Sequence, residues 1–420
     1  MLGRHLAVAF LAAFAFALPS GVSGQAEPTL DSCSTPDLTS AAVRVEAARK
    51  TLLSIPTGDG LNTDVSPDAQ NSITLMKQAL TTFIRSYMGC VSSNPDPTEI
   101  EKKLLQLVHG FEFKVQPGQV MNNDQLPPDF GKYGFELYFR VRVTDTPRLV
   151  SITADFSIEC GGDTVLLIFA PEGKSWKESL HWQTEPYKTV GGGTMAFGYA
   201  ISPPDDAGRW YVVVHTISPW CSSTWSDIRY AAFRPSADPL HPQKLLSNSD
   251  FMWWGNDDYG EVEVGRNEFD LRFHSSSIDA GVHNRVFIRH YSVKGDRIRR
   301  IQPVAVSPRD FVDEWIISPW SESAAWSSSS SADMLRQAHQ MMSRREKSTN
   351  RLLEYGSVYK CSGGDSYQVE VIEETGKNFN VEHSYYFHLA GDGPFTMTSV
   401  SQKSDGNCGG RNLLDDMATK

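Results

Sequence analysis

The sequence predicts a mainly β protein, with an antiparallel β-sandwich-like region between a helical N-terminal unit and a small α+β C-terminal unit. Three observations carry this reading. Apolar residues recur every three or four positions before residue 113 and at every second position from 113 to 326. Turns rich in Gly, Pro, Asn and Asp separate the alternating runs, with no amphipathic helix between them, which favours antiparallel over βαβ topology. Five serines, Ser327 to Ser331, then precede a mixed pattern of helix and strand.

The chain opens with Arg4 and His5, followed by a run from Leu6 to Leu18 with no charged or polar side chain. A bilayer span needs about 20 apolar residues. A secretory leader needs a shorter run and small residues at its cut, here Val22, Ser23 and Gly24. Residues 1–24 are therefore read as a cleavable signal peptide and left out of the fold. Cys33 is too far from the cut between Gly24 and Gln25 to be a lipid-modified N-terminal cysteine. The expected localisation is secreted or periplasmic, with no membrane span.

Residues 25–112 form the helical unit. A weak helix is expected near 40–54. Ser66 and Pro67 read as an N-cap and a first-turn proline, after which Ala69, Ile73, Met76, Leu80, Phe83, Ile84 and Tyr87 share a face up to Gly89. Thr98 and Glu101 read as a capping box ahead of Ile100, Leu104, Leu107 and Val108.

Residues 113–238 form the first β domain. Phe135, Leu137, Phe139, Val141 and Val143 alternate with polar residues, as do Val150, Ile152, Ala154, Phe156 and Ile158, so that Ser151, Thr153 and Asp155 are expected to face solvent. Further strands are expected at 165–169, 210–217, 228–233, 269–273, 286–293 and 297–306. Pro235, Pro239 and Pro242 interrupt the pattern and mark off a second β unit with short helices, residues 239–326. Ser307–Pro308 and Ser318–Pro319 read as the N-caps of those helices. The peptide Ile-Ser-Pro-Trp occurs at 217–220 and again at 317–320, which raises the prospect of a duplicated unit.

The five serines read as a flexible junction to the α+β unit, residues 332–420. Leu335, Ala338, Met342, Leu352 and Leu353 support a helix there. Strands follow around Tyr367–Val371, Phe379–Leu389 and Phe395–Val400, with a turn at Thr375–Lys377.

Lys and Arg number 39 against 50 Asp and Glu, a net charge of −11. An acidic chain repels phosphate backbones, so no nucleic-acid partner is expected. Its one basic cluster, Lys294, Arg297, Arg299 and Arg300, reads as a solvated hairpin edge. Six cysteines in an exported chain read as disulfides, and pairing within compositional blocks gives Cys33–Cys90, Cys160–Cys221 and Cys361–Cys408. No cysteine or histidine spacing suggests zinc, and no metal or cofactor is expected.

GxSxG, HExxH, P-loop and strand-to-helix GxGxxG motifs are all missing. His274, Ser276, Asp279 and His283 supply the residue types of a nucleophile–base–orienter relay on one loop, though the same residues suit an ordinary solvated turn. Asn256, Asp257, Asp258 and Glu261 could gather oxygens for calcium but lack the EF-hand spacing and read better as an acidic turn. Gly191 to Gly193 lack the Lys-Ser/Thr of a phosphate loop and read as a flexible link.

Ten tryptophans are present. Trp210 and Trp220 are assigned to the core. Trp176, Trp182 and Tyr187, set among Lys, Glu, His and Gln, are the candidate ligand-binding residues on a loop. The sequence thus points to an exported, non-enzymatic binding protein for an extracytoplasmic protein or glycan. A hydrolase built on loop 274–283 and a structural component of the cell envelope are the alternatives.

Overall fold

Proline begins each N-terminal helix, where its missing N–H costs nothing because that donor has no intrahelical acceptor. The computed structural model describes residues 35–57, 65–114, 127, 129–159, 161–187, 194–218, 224–253, 260–279, 285–375 and 380–414. In it the helices are α1 (Pro36–Leu53), α2 (Pro67–Met88) and α3 (Pro97–Leu107). Ser66 caps α2 as expected, its hydroxyl accepting from the Ala69 amide. Helix α3 is capped two residues before the predicted Thr98: the Asp96 carboxylate accepts from the amides of Thr98 and Glu99. A carboxylate there also meets the positive end of the helix dipole.

Four antiparallel sheets of four strands follow, each a meander in which consecutive strands are neighbours. Sheet 1 holds β1 (Leu137–Asp145), β2 (Arg148–Ile158), β3 (Gly161–Glu172) and β4 (Ser175–Gln183). Sheet 2 holds β5 (Ala196–Ile201), β6 (Val212–Ile217), β7 (Trp225–Arg234) and β8 (Gln243–Trp253). Sheet 3 holds β9 (Glu261–Val264), β10 (Glu268–Ser275), β11 (Arg285–Lys294) and β12 (Arg297–Arg300). The segment with Pro235, Pro239 and Pro242 is the β7–β8 connection within sheet 2.

Alternation along each strand explains how the layers stack. One face of sheet 1 (Phe139, Ile152, Phe156, Leu167) meets Val45, Leu80 and Phe83 of the helices in a single core. The opposite face, with Leu166, Ile168 and Leu180, packs on Val212, Val214 and Phe233 of sheet 2. Sheet 2 then presents Val213, Ile228 and Ala232 to Leu271, Phe273 and Phe287 of sheet 3. Arg49 pins the helical layer down, donating to the carbonyls of Gly134, His109 and Phe135 at 2.6–2.9 Å.

This stacking corrects the sequence reading of β2. Ser151, Thr153 and Asp155 are buried rather than solvent-facing, because sheet 2 covers them. Their polarity is met internally: Ser151 bonds the Tyr199 hydroxyl at 2.9 Å, and Thr153 and Thr164 donate to Asp155. Arg300 is a second correction. Lys294, Arg297 and Arg299 lie at the surface, but Arg300 is buried in an ionic cluster. The strand predicted over 297–306 ends at Arg300.

The C-terminal core begins upstream of the serines. Helices α4 (Pro308–Ile317), α5 (Trp320–Ser323) and α6 (Ala332–Glu346) adjoin sheet 4: β13 (Arg351–Lys360), β14 (Ser366–Thr375), β15 (Asn380–Ala390) and β16 (Thr396–Ser401). Phe311, Trp315, Met342, Val369 and Phe387 share one core. Ser307 caps α4 as predicted, but Ser318 does not cap α5; its hydroxyl donates to Glu314. Leu352 and Leu353 belong to β13, not to a helix.

The predicted flexible junction is a packed turn. Ser327 accepts from the Trp315 indole at 2.9 Å and donates to the Ser323 carbonyl, and the Ser328 amide bonds the Met397 carbonyl. The two Ile-Ser-Pro-Trp peptides begin in different settings, the first at the end of strand β6 and the second at the end of helix α4, and Pro219 and Trp220 of the first lie outside the described residues. Cys361 and Cys408 form the predicted disulfide, closing a separation of 47 residues. Cys90 is also disulfide-bonded. The signal peptide, Cys33, Cys160, Cys221 and the Gly376–Lys377 turn lie outside the described residues. Among those described, no helix is long and apolar enough to cross a membrane.

Candidate functional site

Strand β8 is the edge of sheet 2, and a cavity opens on each side of it. Successive side chains of a strand point to opposite faces. Ser247 and Ser249 therefore line the side shared with sheet 1. Asn248 and Asp250 turn toward sheet 3, where Asn248 donates to the Tyr291 hydroxyl at 3.2 Å and Asp250 accepts from Tyr230 at 3.0 Å.

The first cavity, about 260 Å³, lies between the end of β4 and the face of sheet 2. Val214, Thr216 and Arg229 form its floor, with Trp182, Thr184 and Tyr187 on its wall. Trp182 is half-buried and stacks on Phe197, ring centroids 4.9 Å apart. The Thr184–Tyr187 wall is fixed from beneath by a buried network. Both hydroxyls donate to Asp163, and the Lys77 ammonium, 3.0 Å from that carboxylate, donates to Thr184 Oγ1 at 2.8 Å. Burial and the neighbouring Asp163 carboxylate push the Tyr187 phenol well above its ordinary pKa, so it stays a donor. Ser218, also on the lining, has a buried hydroxyl oxygen with no hydrogen-bond partner among the described residues.

The second cavity, about 500 Å³, lies between sheets 2 and 3 and α4. Its charges are largely paired with one another. Glu314 accepts from Arg285, Arg289 and Arg300 at 2.7–2.8 Å, and Arg289 also holds Asp250. Burial alone would raise the pKa of Glu314, but the arginines outweigh it and hold the carboxyl well below its usual range. Burial raises the neighbouring Asp313, against Arg285 at 3.2 Å and donors from Ser277, the Ile278 amide and Tyr355. On the same face of β8 as Ser247 and Ser249, Phe251 is 52% exposed and lies flat on Trp225, centroids 5.3 Å apart and planes within 7°.

The structure brings Trp182 and Tyr187 to one cavity and places Trp176 elsewhere. Trp176 is buried, and its indole donates to the Ser92 carbonyl at 2.8 Å, so it holds β4 to the α2–α3 connection. Trp176 and Trp182 also sit on strand β4, not on a loop.

In the other candidate group, Ser276 is exposed at the second cavity, and Asp279 is buried and accepts from the Tyr355 amide at 2.9 Å. His274 lies on the face of β10 opposite Phe273 and Ser275, and pairs across the ladder with Val286. His283 lies outside the described residues, as do Asn256, Asp257, Asp258 and Gly191–Gly193; Glu261 is exposed on β9. His388, Asp405 and Cys408 bring potential metal-ligating atoms within 4.8 Å, but the Cys408 sulfur is bonded to Cys361.

Sequence reasoning missed strand β8 and with it Lys244, Ser247 and Asn248. The run Leu245–Leu246–Ser247–Asn248–Ser249–Asp250 has no period-two pattern, because an open edge strand buries neither face fully. No known protein-family model matches this chain, and no curated protein matches it.

Proposed function

We propose that the chain is an exported, non-enzymatic binding protein that recognises a glycan in the first cavity. The observation that carries this reading is the lining itself: one half-buried tryptophan ring together with hydroxyl, amide and charged groups in about 260 Å³. A sugar has an apolar face of C–H groups and a rim of hydroxyls. An aromatic ring suits the first, and a few fixed polar groups suit the second. Thr216, Arg229, Lys244 and Asn248 on the same lining favour a ligand that brings its own hydrogen-bonding groups.

Export rests on the leader-like start and on disulfide usage, which belongs to oxidising compartments. Hydrolysis on loop 274–283 finds less support, since Ser277 is bonded to Asp313 and Asp279 to the Tyr355 amide.

The test is binding of the purified protein to an array of bacterial, plant and animal glycans, beside the Trp182→Ala and Ser218→Ala variants. Selective binding that weakens at least tenfold in Trp182→Ala and less in Ser218→Ala is expected. Binding to no glycan, or binding untouched by Trp182→Ala, counts against the reading.

A further inference from the structure

We infer that the preferred sugar is acidic, its carboxylate held by the Arg229 guanidinium on the floor of the first cavity. This deepens the glycan reading of that cavity and rests on it.

Directly opposed residues of an antiparallel ladder share a face. Where sheet 1 covers sheet 2, the rows across β5, β6 and β7 are apolar: Ile201, Val212 and Phe233 in one, Tyr199, Val214 and Ala231 in the next. The row after these reads Phe197, Thr216, Arg229 and, on β8, Ser249. A cation thus stands on an inner strand at the end of an otherwise apolar face. Its side chain is 33% exposed and lines the cavity, where a ligand rather than the core meets it.

Arg229 has donors to offer. Its ion pair with Asp227 is 4.0 Å long, whereas Arg285, Arg289 and Arg300 meet Glu314 at 2.7–2.8 Å. The planar fork of a guanidinium matches a carboxylate, which can accept two parallel N–H groups. Lys244 adds a second positive charge to the lining against the single negative charge of Glu185. That excess of positive charge runs against the net charge of −11 carried by the chain, and it favours an anionic ligand.

The same row sets the distance. Trp182 stacks on Phe197, and Phe197 lies two strands from Arg229. Neighbouring strands are about 4.8 Å apart, so Phe197 and Arg229 stand about 10 Å apart along the row. A pyranose ring and an extended arginine side chain fill that span together. A sugar acid carries its carboxylate at the ring edge beside its apolar C–H face, so one unit meets Trp182 and Arg229 at once. A neutral hexose presents an uncharged hydroxymethyl group there instead, which cannot accept the fork.

The test is calorimetric titration at neutral pH with three matched pairs: trigalacturonate and its methyl ester, a hyaluronan tetrasaccharide and its methyl ester, and sialyllactose and lactose. Each is run on the wild type, Arg229→Gln and Arg229→Lys, with melting temperatures confirming that the variants fold. In at least one pair the acid is expected to bind the wild type at least tenfold tighter than its neutral partner. Arg229→Gln is expected to bring that ratio to within about threefold of unity. Arg229→Lys is expected to restore only part of it, because an ammonium carries the charge without the fork. No acid preference in any pair, or a preference that survives Arg229→Gln, overturns the acidic-sugar inference and leaves the glycan reading standing. A neutral glycan as the tightest ligand of the array, with none of the acids bound, does the same. Binding of no member of any pair, together with a blank array, overturns both.

Discussion

The ammonium nitrogen of Lys77 lies 3.0 Å from a carboxylate oxygen of Asp163, and both side chains are buried. This pair joins helix α2 to the start of β3 and anchors Thr184 and Tyr187, the wall of the first cavity. Removing one partner of a buried pair leaves an uncompensated charge, at a cost of about 3–5 kcal/mol. Lys77→Met is expected to lose stability on that scale in chemical denaturation and to weaken glycan binding. The double variant Lys77→Met/Asp163→Leu is expected to recover part of the stability but not the binding. Full recovery of both would show that the network does not position the wall.

Glu314 anchors the other side of β8. A carboxylate held below its ordinary value of 4.5 contributes stability that is present above that pH and is lost as pH falls through the folded-state value. The wild type is therefore expected to lose stability steeply below about pH 4.5. Glu314→Gln, which leaves the arginines facing a neutral group, is expected to be about 3–5 kcal/mol less stable at neutral pH and to show a flatter acid limb. Parallel urea titrations from pH 7 to pH 3 check both.

His215 sits opposite Gly198 in the β5–β6 ladder, and a Cβ at Gly198 would come within 2.2 Å of its ring. Gly198→Ala is expected to cost about 1–3 kcal/mol by overpacking. Burial pushes the His215 pKa down to about 4 from 6.5. The unfolded chain then binds the proton first. Stability from this group is complete above pH 6.5 and declines as pH falls toward 4, by about 3 kcal/mol at 1.36 kcal/mol per unit. His215→Leu is expected to flatten the stability profile in that window, whereas Glu314→Gln acts below it.

Reduction of Cys361–Cys408 releases a separation of 47 residues, worth about 4 kcal/mol in the chain-entropy treatment. The double variant Cys361→Ser/Cys408→Ser is expected to lower the unfolding free energy of the α+β unit by about that amount while leaving glycan binding intact. Loss of binding in a folded variant would tie the site to sheet 4.

The helices and the antiparallel character of the strands were legible because their periods are local. Ser66, Ser307 and the alternation in β1 needed nothing beyond neighbours in sequence. What was hidden depends on layers that meet only after folding. Ser151 and Asp155 look like an outer face until sheet 2 covers them, and Arg300 looks like edge charge until α4 brings Glu314 to it. Trp182 and Tyr187 were legible as aromatics in polar company. Trp176 carried the same signal, although its indole is engaged with Ser92. Strand β8 stayed invisible because an open edge imposes no pattern.

The most direct test of the account is amide hydrogen exchange of the protein with and without the tightest-binding glycan of the array. The account predicts protection along β8, from Lys244 to Phe251, and around Thr184–Tyr187, with sheet 4 unchanged. Protection confined to another surface, or none in β8, would contradict it.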